Sequence, residues 1–305
     1  ATAPVGVWPL CDNAFARPRT ADSGGGCSGH LEGCRVTIGA GQAVNLSHPE
    51  TGRASPPPNE GSSVALMQGR AQKLLYNNLT VPFRPFYRRY PYRGGISSGS
   101  ANARGCLDLE LGFFCNRIPK AANSTVVTNL ARLKCGLDVP SKQAKKLFDT
   151  PAQLTRAQLG TFETLFKFTV VRNPYTRTLS AYLDKVAREA PPQDPKAGFA
   201  AFLESLAKGK LHSNTHWAPQ HSLMLIPVSH FDFIGKVEAL DEAWRTIQSR
   251  IRPDLPLAMT STLGNQTGAN DKLRQYYDAP QIRLVQRLYA EDFSAFGYAP
   301  TFLVN

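Results

Sequence analysis

A chain of 305 residues with 42% hydrophobic and 19% charged content can bury a full core, as one large domain or as one domain with a long appendage. No run approaches the roughly 20 apolar residues of a membrane span. The net charge of +12 and pI near 9.6 draw polyanions such as nucleic acid, anionic glycan or a highly charged nucleotide, without choosing among them.

Residues 1–62 are rich in Gly, Pro and Ser, with Gly24-Gly25-Gly26 and Pro56-Pro57-Pro58, and read as a linker, stalk or loose cover. Residues 63–305 then form the main domain, with its motif-bearing core over 107–298. Six cysteines (Cys11, Cys27, Cys34, Cys106, Cys115 and Cys135) show no Cys-x-x-Cys spacing, which argues against structural zinc. Their even count permits up to three disulfides. Asn45, Asn78, Asn123 and Asn265 each open a glycosylation acceptor pattern. A glycoprotein of the Golgi lumen or secretory pathway is the expectation, with the cytoplasm as the alternative. A membrane link is expected only through an anchor absent from this chain. No signal segment is visible, but a start at Ala1 without methionine allows a processed or trimmed N-terminus, so that absence proves nothing.

A short helix is predicted over 64–76. In Pro82 to Arg93 arginines interleave with aromatics, a composition suited to single strands or sugars. Its three prolines favour the other reading, an irregular segment lying over the core with solvated arginines. The string from Gly94 to Gly105 reads as a loop.

The core is expected to start near Leu107. Leu111 to Cys115 has strand composition, and Val126, Val127, Leu130 and Leu133 mark one face of a helix. Between them lies Lys120-Ala121-Ala122-Asn123-Ser124-Thr125, a cation, two small residues and three polar side chains. A strand, a small-residue loop and a helix start make an anion site, because the first helical amides lack intrahelical partners and the dipole adds positive potential. The plainer reading is a capped helix with Lys120 on the surface.

Lys134 to Gln158 is predicted helical in pieces. Phe166 to Val171 reads as a buried strand. It runs into Arg172, with Asn173 as N-cap and Pro174 as first helical residue. Tyr175, Leu179, Tyr182, Leu183 and Val186 form the buried stripe, with Ser180 off it. Arg172 therefore sits at the carboxyl end of a strand, where open α/β sheets bind ligands. Near the end, Ile282, Val285, Leu288 and Tyr289 mark an amphipathic helix after Pro280, and Phe293 and Phe296 read as packing residues.

Pro119-Lys120-Ala121-Ala122-Asn123-Ser124-Thr125 and Arg172-Asn173-Pro174-Tyr175-Thr176-Arg177-Thr178-Leu179-Ser180-Ala181-Tyr182 together resemble the cofactor signature of sulfotransferases that use 3′-phosphoadenosine-5′-phosphosulfate (PAPS). More narrowly they are similar to the carbohydrate branch, with its Golgi enzymes and bacterial relatives. His216-Trp217-Ala218-Pro219-Gln220, Phe231 to Glu238, and Tyr276 to Tyr298 are similar too, so the likeness covers 111–298.

The resemblance implies a three-layer α/β fold around a central, mostly parallel sheet, which alternating strand and helix signals also support. It implies transfer of a sulfuryl group from PAPS to an acceptor hydroxyl, first on a carbohydrate and otherwise on a small molecule. No metal and no nucleic-acid partner are expected, and oligomeric state is left open. By the same resemblance Lys120 stabilises charge on the leaving oxygen. Ala121, Ala122, Asn123, Ser124 and Thr125 hold the 5′ end, and Arg172 and Ser180 grip the 3′-phosphate. Asn265 is assigned to the cofactor, although neighbouring Leu263 offers no charge. Asn123 stands where many relatives have Cys, Ser or Gly.

An imidazole suits the proton-accepting role. His212, His216, His221 and His230 crowd one region, and His216 is the candidate base. The alternative is a histidine that only orders the loop beside Trp217. His212 and His216, four apart, could bind metal on a helix but lack a nearby carboxylate at ligand spacing. Glu238 is the fallback base, unless it pairs with Lys236 or caps the helix through Leu240. Two rival functions remain, an atypical P-loop kinase or NTPase and a non-catalytic binder of anionic glycan or nucleic acid.

Overall fold

The strand Phe166–Val171 is buried along its whole length, which requires cover on both faces of its sheet. The computed structural model describes residues 37–38, 42–43, 75–260 and 267–302. The chain divides into two compact units, Ala1–Gly52 and Arg53–Asn305. In the first, strands β1 (Thr37–Ile38) and β2 (Gln42–Ala43) pair antiparallel.

The second unit holds a four-stranded sheet in the order β3 (Gly105–Asp108), β4 (Phe113–Asn116), β5 (Phe166–Val171) and β6 (Phe233–Lys236). β3 runs antiparallel to β4, while β4, β5 and β6 are parallel. The mixed α/β architecture with a mostly parallel sheet is as the sequence led one to expect. Between the strands run α1 (Asn123–Cys135), α2 (Pro174–Tyr182) and α3 (Pro195–Ser205). After β6 come α4 (Leu240–Ile251) and α5 (Ala279–Leu288).

Alternation sorts the strand residues. Phe113, Cys115, Phe166, Phe168 and Val170 face Val126, Val127 and Leu130 of α1 and Trp244 and Ile247 of α4. Each fully buried Phe here contributes about 1.5–3 kcal/mol. Phe114 faces the other way, into a cluster with Phe86, Tyr90 and Phe162. The polar residues of that face are satisfied in place. Thr169 Oγ1 donates to the Asn116 carbonyl (2.7 Å), and the Asn116 side chain bonds the Leu223 carbonyl and the Leu225 amide. A third cluster joins α2, α3 and α5 through Leu179, Tyr182, Phe199, Val285 and Tyr289.

Several expectations are corrected. The segment from Gly94 to Gly105 is not a plain loop: Ser98–Asn102 is helical and Gly105 opens β3. A Cβ on Gly105 would collide with the Pro151 ring, so only glycine fits there. The core also begins earlier than Leu107. Pro85–Arg89 is a short helix in which Phe86 and Tyr87 are buried, as is its C-cap Tyr90, while Arg88 and Arg89 face solvent. Cys106 and Cys115 are buried free thiols, so the expected disulfides do not involve them. Cys11, Cys27, Cys34 and most of the 64–76 helix lie outside the described residues. No described helix is long and apolar enough to cross a membrane.

Candidate active site

β4 and β5 are parallel neighbours, so the loops that leave their carboxyl ends meet at one rim. The loop after β4 turns through two left-handed residues, Lys120 (φ 67°) and Ala122 (φ 51°), neither of them glycine. Such backbone costs of order 1–3 kcal/mol per residue and persists where the surroundings over-determine it. Its effect is to start α1 abruptly. Ala122 is the N-cap and makes no side-chain cap hydrogen bond, so the first amides of α1 lack intrahelical partners.

Lys120 is largely buried and its Nζ lies 3.3 Å from Asp184 Oδ2. Burial lowers its pKa, Asp184 opposes this, and the charges of Lys185 and Arg172 lower it further. Asp184 also pairs with Lys185 (3.1 Å) and Arg188 (3.4 Å). Burial works against its ionisation, but the Lys185 hydrogen bond and the Lys120 charge hold its pKa below the usual value.

Arg172 follows β5 directly. Its Nη1 donates to the Lys120 carbonyl (3.3 Å), Nη2 to Asn270 Oδ1 (2.7 Å) and Nε to Thr176 Oγ1 (3.0 Å). Burial lowers its pKa, against the charge of Glu238. The fully buried Gln220 side chain accepts from the Arg172 amide and donates to the Arg172 carbonyl, fixing the strand end. Asn173 caps α2 by accepting from the Tyr175 amide, and Pro174 is the first helical residue. Every residue of α2 is buried, so Ser180 lies inside although it is off the apolar stripe. Its Oγ accepts from Thr267 Oγ1 at 3.0 Å.

Asn123 accepts from Arg117 Nη1 at 3.2 Å, which turns its side chain toward β4. Asn265 lies outside the described residues. The structure thus brings Lys120 to Thr125 and Arg172 together at one rim, with Ser180 further along α2.

His216 Nδ1 lies 2.8 Å from Asn214 Oδ1. An amide oxygen accepts only, so the proton sits on Nδ1 and the Nε2 lone pair is available. Burial, then the charges of Lys185, Arg104 and Lys120, lower its pKa to about 4, with Asp184 opposing. It is therefore a neutral imidazole at physiological pH. The stretch from His212 to His216 is a chain of turns, not a helix, so the two histidines do not take the i, i+4 register of a metal pair. No metal-binding group forms among the described residues. Glu238 accepts from the Asn173 amide (2.8 Å) and from the Tyr298 hydroxyl (2.9 Å). It pairs with neither Lys236, which bonds the Gly297 carbonyl, nor the start of α4, whose N-cap is Ala239.

Sequence reasoning passed over Arg177, Asp184, Gln220 and Asp292. Asp292, with no exposed surface, accepts from the Gln220 and His221 amides and from His221 Nδ1. Nothing local marks Arg177, Gln220 or Asp292, whose partners lie far off in the chain, and Asp184 has near partners in Lys185 and Arg188 but meets Lys120 only through the fold. A cleft of about 650 Å³ lined by Arg93, His212, His221 and Glu291 shares no residue with the rim.

A strained loop feeding a helix without a side-chain cap, with Lys120 and Arg172 partly buried beside it, makes this rim a candidate oxyanion-binding centre. The match to the model of the sulfotransferase family spans residues 108–299, and the chain belongs to that family. It is accordingly an enzyme that uses PAPS as co-substrate and a hydroxyl-bearing acceptor. No solved structure matches the chain. The residues present fit PAPS: the helix start of α1 and Lys120 suit a sulfated phosphate, and Arg172 suits a second phosphate.

Proposed function

We propose that the chain sulfates a hydroxyl on a carbohydrate acceptor, with the rim from Lys120 to Arg172 as its nucleotide clasp and His216 as its base. When bound, PAPS supplies the sulfuryl group. The helix amides after Ala122 and the Ser124 and Thr125 hydroxyls orient its 5′ end. The Lys120 ammonium stabilises charge on the leaving oxygen. Arg172 and Ser180 hold the 3′-phosphate, and Asn265 is a further candidate contact. His216 accepts the acceptor proton at Nε2, its Nδ1 proton held by Asn214.

One observation carries this reading: the Arg172 guanidinium donates to the Lys120 carbonyl, so both cations serve one site. The carbohydrate acceptor rests on the likeness of the Pro119-to-Thr125 and Arg172-to-Tyr182 stretches, and of the three further stretches, to the carbohydrate branch. A kinase would want an aspartate where β5 ends, and this strand is followed by Arg172.

Thermal unfolding separates the cases. The bisphosphate product 3′,5′-adenosine bisphosphate should raise Tm without added metal, and Arg172→Ala should abolish the shift. Stabilisation by Mg-ATP alone would overturn the assignment in favour of a kinase. An acceptor screen with radiolabelled PAPS then identifies the sugar. Anionic glycan bound with no label transferred to any acceptor would favour the non-catalytic binder.

A further inference from the structure

Asp184 stands where α2 passes, without a break, into a wider π-helical turn over Leu183–Ala187. Such turns are uncommon and gather at functional sites. The Asp184 carboxylate lies 3.3 Å from Lys120 Nζ, and the two side chains are only 16% and 10% exposed. It is shared with Lys185 at 3.1 Å and with Arg188 at 3.4 Å. Among the described residues, no other carboxylate forms an ion pair with Lys120.

A carboxylate in this place works against the clasp. Lys120 and Arg172 attract a nucleotide of several negative charges, and Asp184 repels it. Partial burial adds a desolvation cost. Affinity therefore does not explain the residue, and what it supplies is a counter-charge. Burial and the charges of Lys185, on the π-helical turn, and Arg172, at the end of β5, drive Lys120 toward the neutral amine, and Asp184 opposes them. His216, on the turn after Asn214, feels the same group of charges. Lys185, Arg104 and Lys120 disfavour its imidazolium, and Asp184 favours it. One carboxylate thus acts on the cation assigned to the leaving oxygen and on the base assigned to the acceptor proton.

Resting on the sulfuryl-transfer reading, we propose that Asp184 is a positioning residue of the transfer, its carboxylate holding the Lys120 ammonium charged and in place while weakening the hold on the nucleotide. A residue that only braced the anion loop would add to nucleotide affinity. This one subtracts from it, and the two roles separate by experiment.

The probe is 3′,5′-adenosine bisphosphate, titrated calorimetrically across pH, beside NMR titration of the Lys120 side-chain carbons in the free protein. In Asp184→Asn, an isostere without the charge, Lys120 should lose its proton at a pH lower by about one unit or more. At about pH 6.5 that variant should bind bisphosphate as tightly as the wild type, or tighter by up to about tenfold. As pH rises, its affinity should start to weaken earlier than that of the wild type. Asp184→Glu restores the charge and should return both titrations toward the wild type. Lys185→Gln should move Lys120 the other way, because it removes a like charge and leaves more of the carboxylate to Lys120. The Lys185 side chain is 31% exposed, so this variant tests the proposal even where the asparagine variant does not fold. A Lys120 titration unmoved in either variant overturns the proposal. So does a fall in bisphosphate affinity of about tenfold in Asp184→Asn at about pH 6.5, which would make Asp184 a brace of the loop. If Lys120 moves as expected but bisphosphate affinity ignores its charge, the sulfuryl-transfer reading fails and the hold of Asp184 on Lys120 stands.

Discussion

Arg177 Nε donates to the carbonyl of Pro119 at 3.0 Å, tying the middle of α2 to the residue just before Lys120. The same guanidinium reaches the Ala218 carbonyl (2.8 Å) and the Thr215 carbonyl (3.3 Å) on either side of the His216 turn. One side chain, 1% exposed, thus sets the spacing between the anion loop and the candidate base.

Removing it should damage both stability and binding. Arg177→Leu orphans three buried carbonyls and should cost about 3 kcal/mol or more, read as a lower urea midpoint. Arg177→Lys offers one charge that cannot reach all three acceptors, and should lose most of the bisphosphate affinity even where it folds. A Leu variant with the wild-type midpoint would show that the three bonds contribute nothing.

The strain at Ala122 gives a second test. Its φ of 51° costs an alanine about 1–2 kcal/mol, which Ala122→Gly relieves while adding freedom to the unfolded chain. The two effects offset, so the glycine variant should stay within about 1 kcal/mol of wild type and still bind bisphosphate. Ala122→Val, β-branched in the same region, should lose about 1–3 kcal/mol and weaken binding by disturbing the amides of residues 123–125. If valine is tolerated in both assays, the loop does not need its left-handed turn.

How far the sequence revealed this arrangement depends on whether a residue's partners are close in the chain. The strand Phe166–Val171, the Asn173 cap and the Pro174 start were readable because their signals are contiguous. Arg177 was not. It stands in the Arg172-to-Tyr182 motif with no role assigned to it, and only the packing of Pro119, Thr215 and Ala218 around it makes it central. Asp292 sits between residues that read as plain core, yet it fixes the amides of Gln220 and His221. The aromatic residues of Pro82 to Arg93 were misjudged for a related reason. Prolines suggested an irregular cover, whereas Pro85 opens a helical turn that sinks Phe86 and Tyr90 into the core.

The lowered pKa of His216 predicts a specific pH behaviour. Its folded value of about 4 lies below the ordinary 6.5, so between these the unfolded chain takes up a proton that the folded chain does not. The contribution of this group to stability is therefore complete above about pH 6.5 and declines as pH falls toward 4. NMR titration of the free protein should show the His216 ring neutral down to about pH 4. Binding of 3′,5′-adenosine bisphosphate should raise that value, because it sets negative charge against Lys120. His216→Ala should spare bisphosphate affinity and lower kcat by about 100-fold or more. Normal turnover in that variant would remove His216 as the base.

His221 presents the opposite case and the opposite sign. Its Nδ1 lies 2.8 Å from buried Asp292 and its Nε2 lies 2.7 Å from Glu291. Burial disfavours its charge, but the Asp292 hydrogen bond and the two carboxylate charges outweigh burial and raise its pKa above 6.5. A raised folded value means stability that is complete below the unfolded pKa and lost as pH rises through the folded one. Asp292→Asn weakens that clamp and the amide bonds to Gln220 and His221, and should cost about 1–3 kcal/mol near pH 6. The deficit should shrink at higher pH, where the wild type has itself lost the imidazolium. Since Gln220 also fixes the Arg172 backbone, the variant should weaken bisphosphate binding as well. A stability loss that is the same at every pH would show that the histidine carries no charge in the fold.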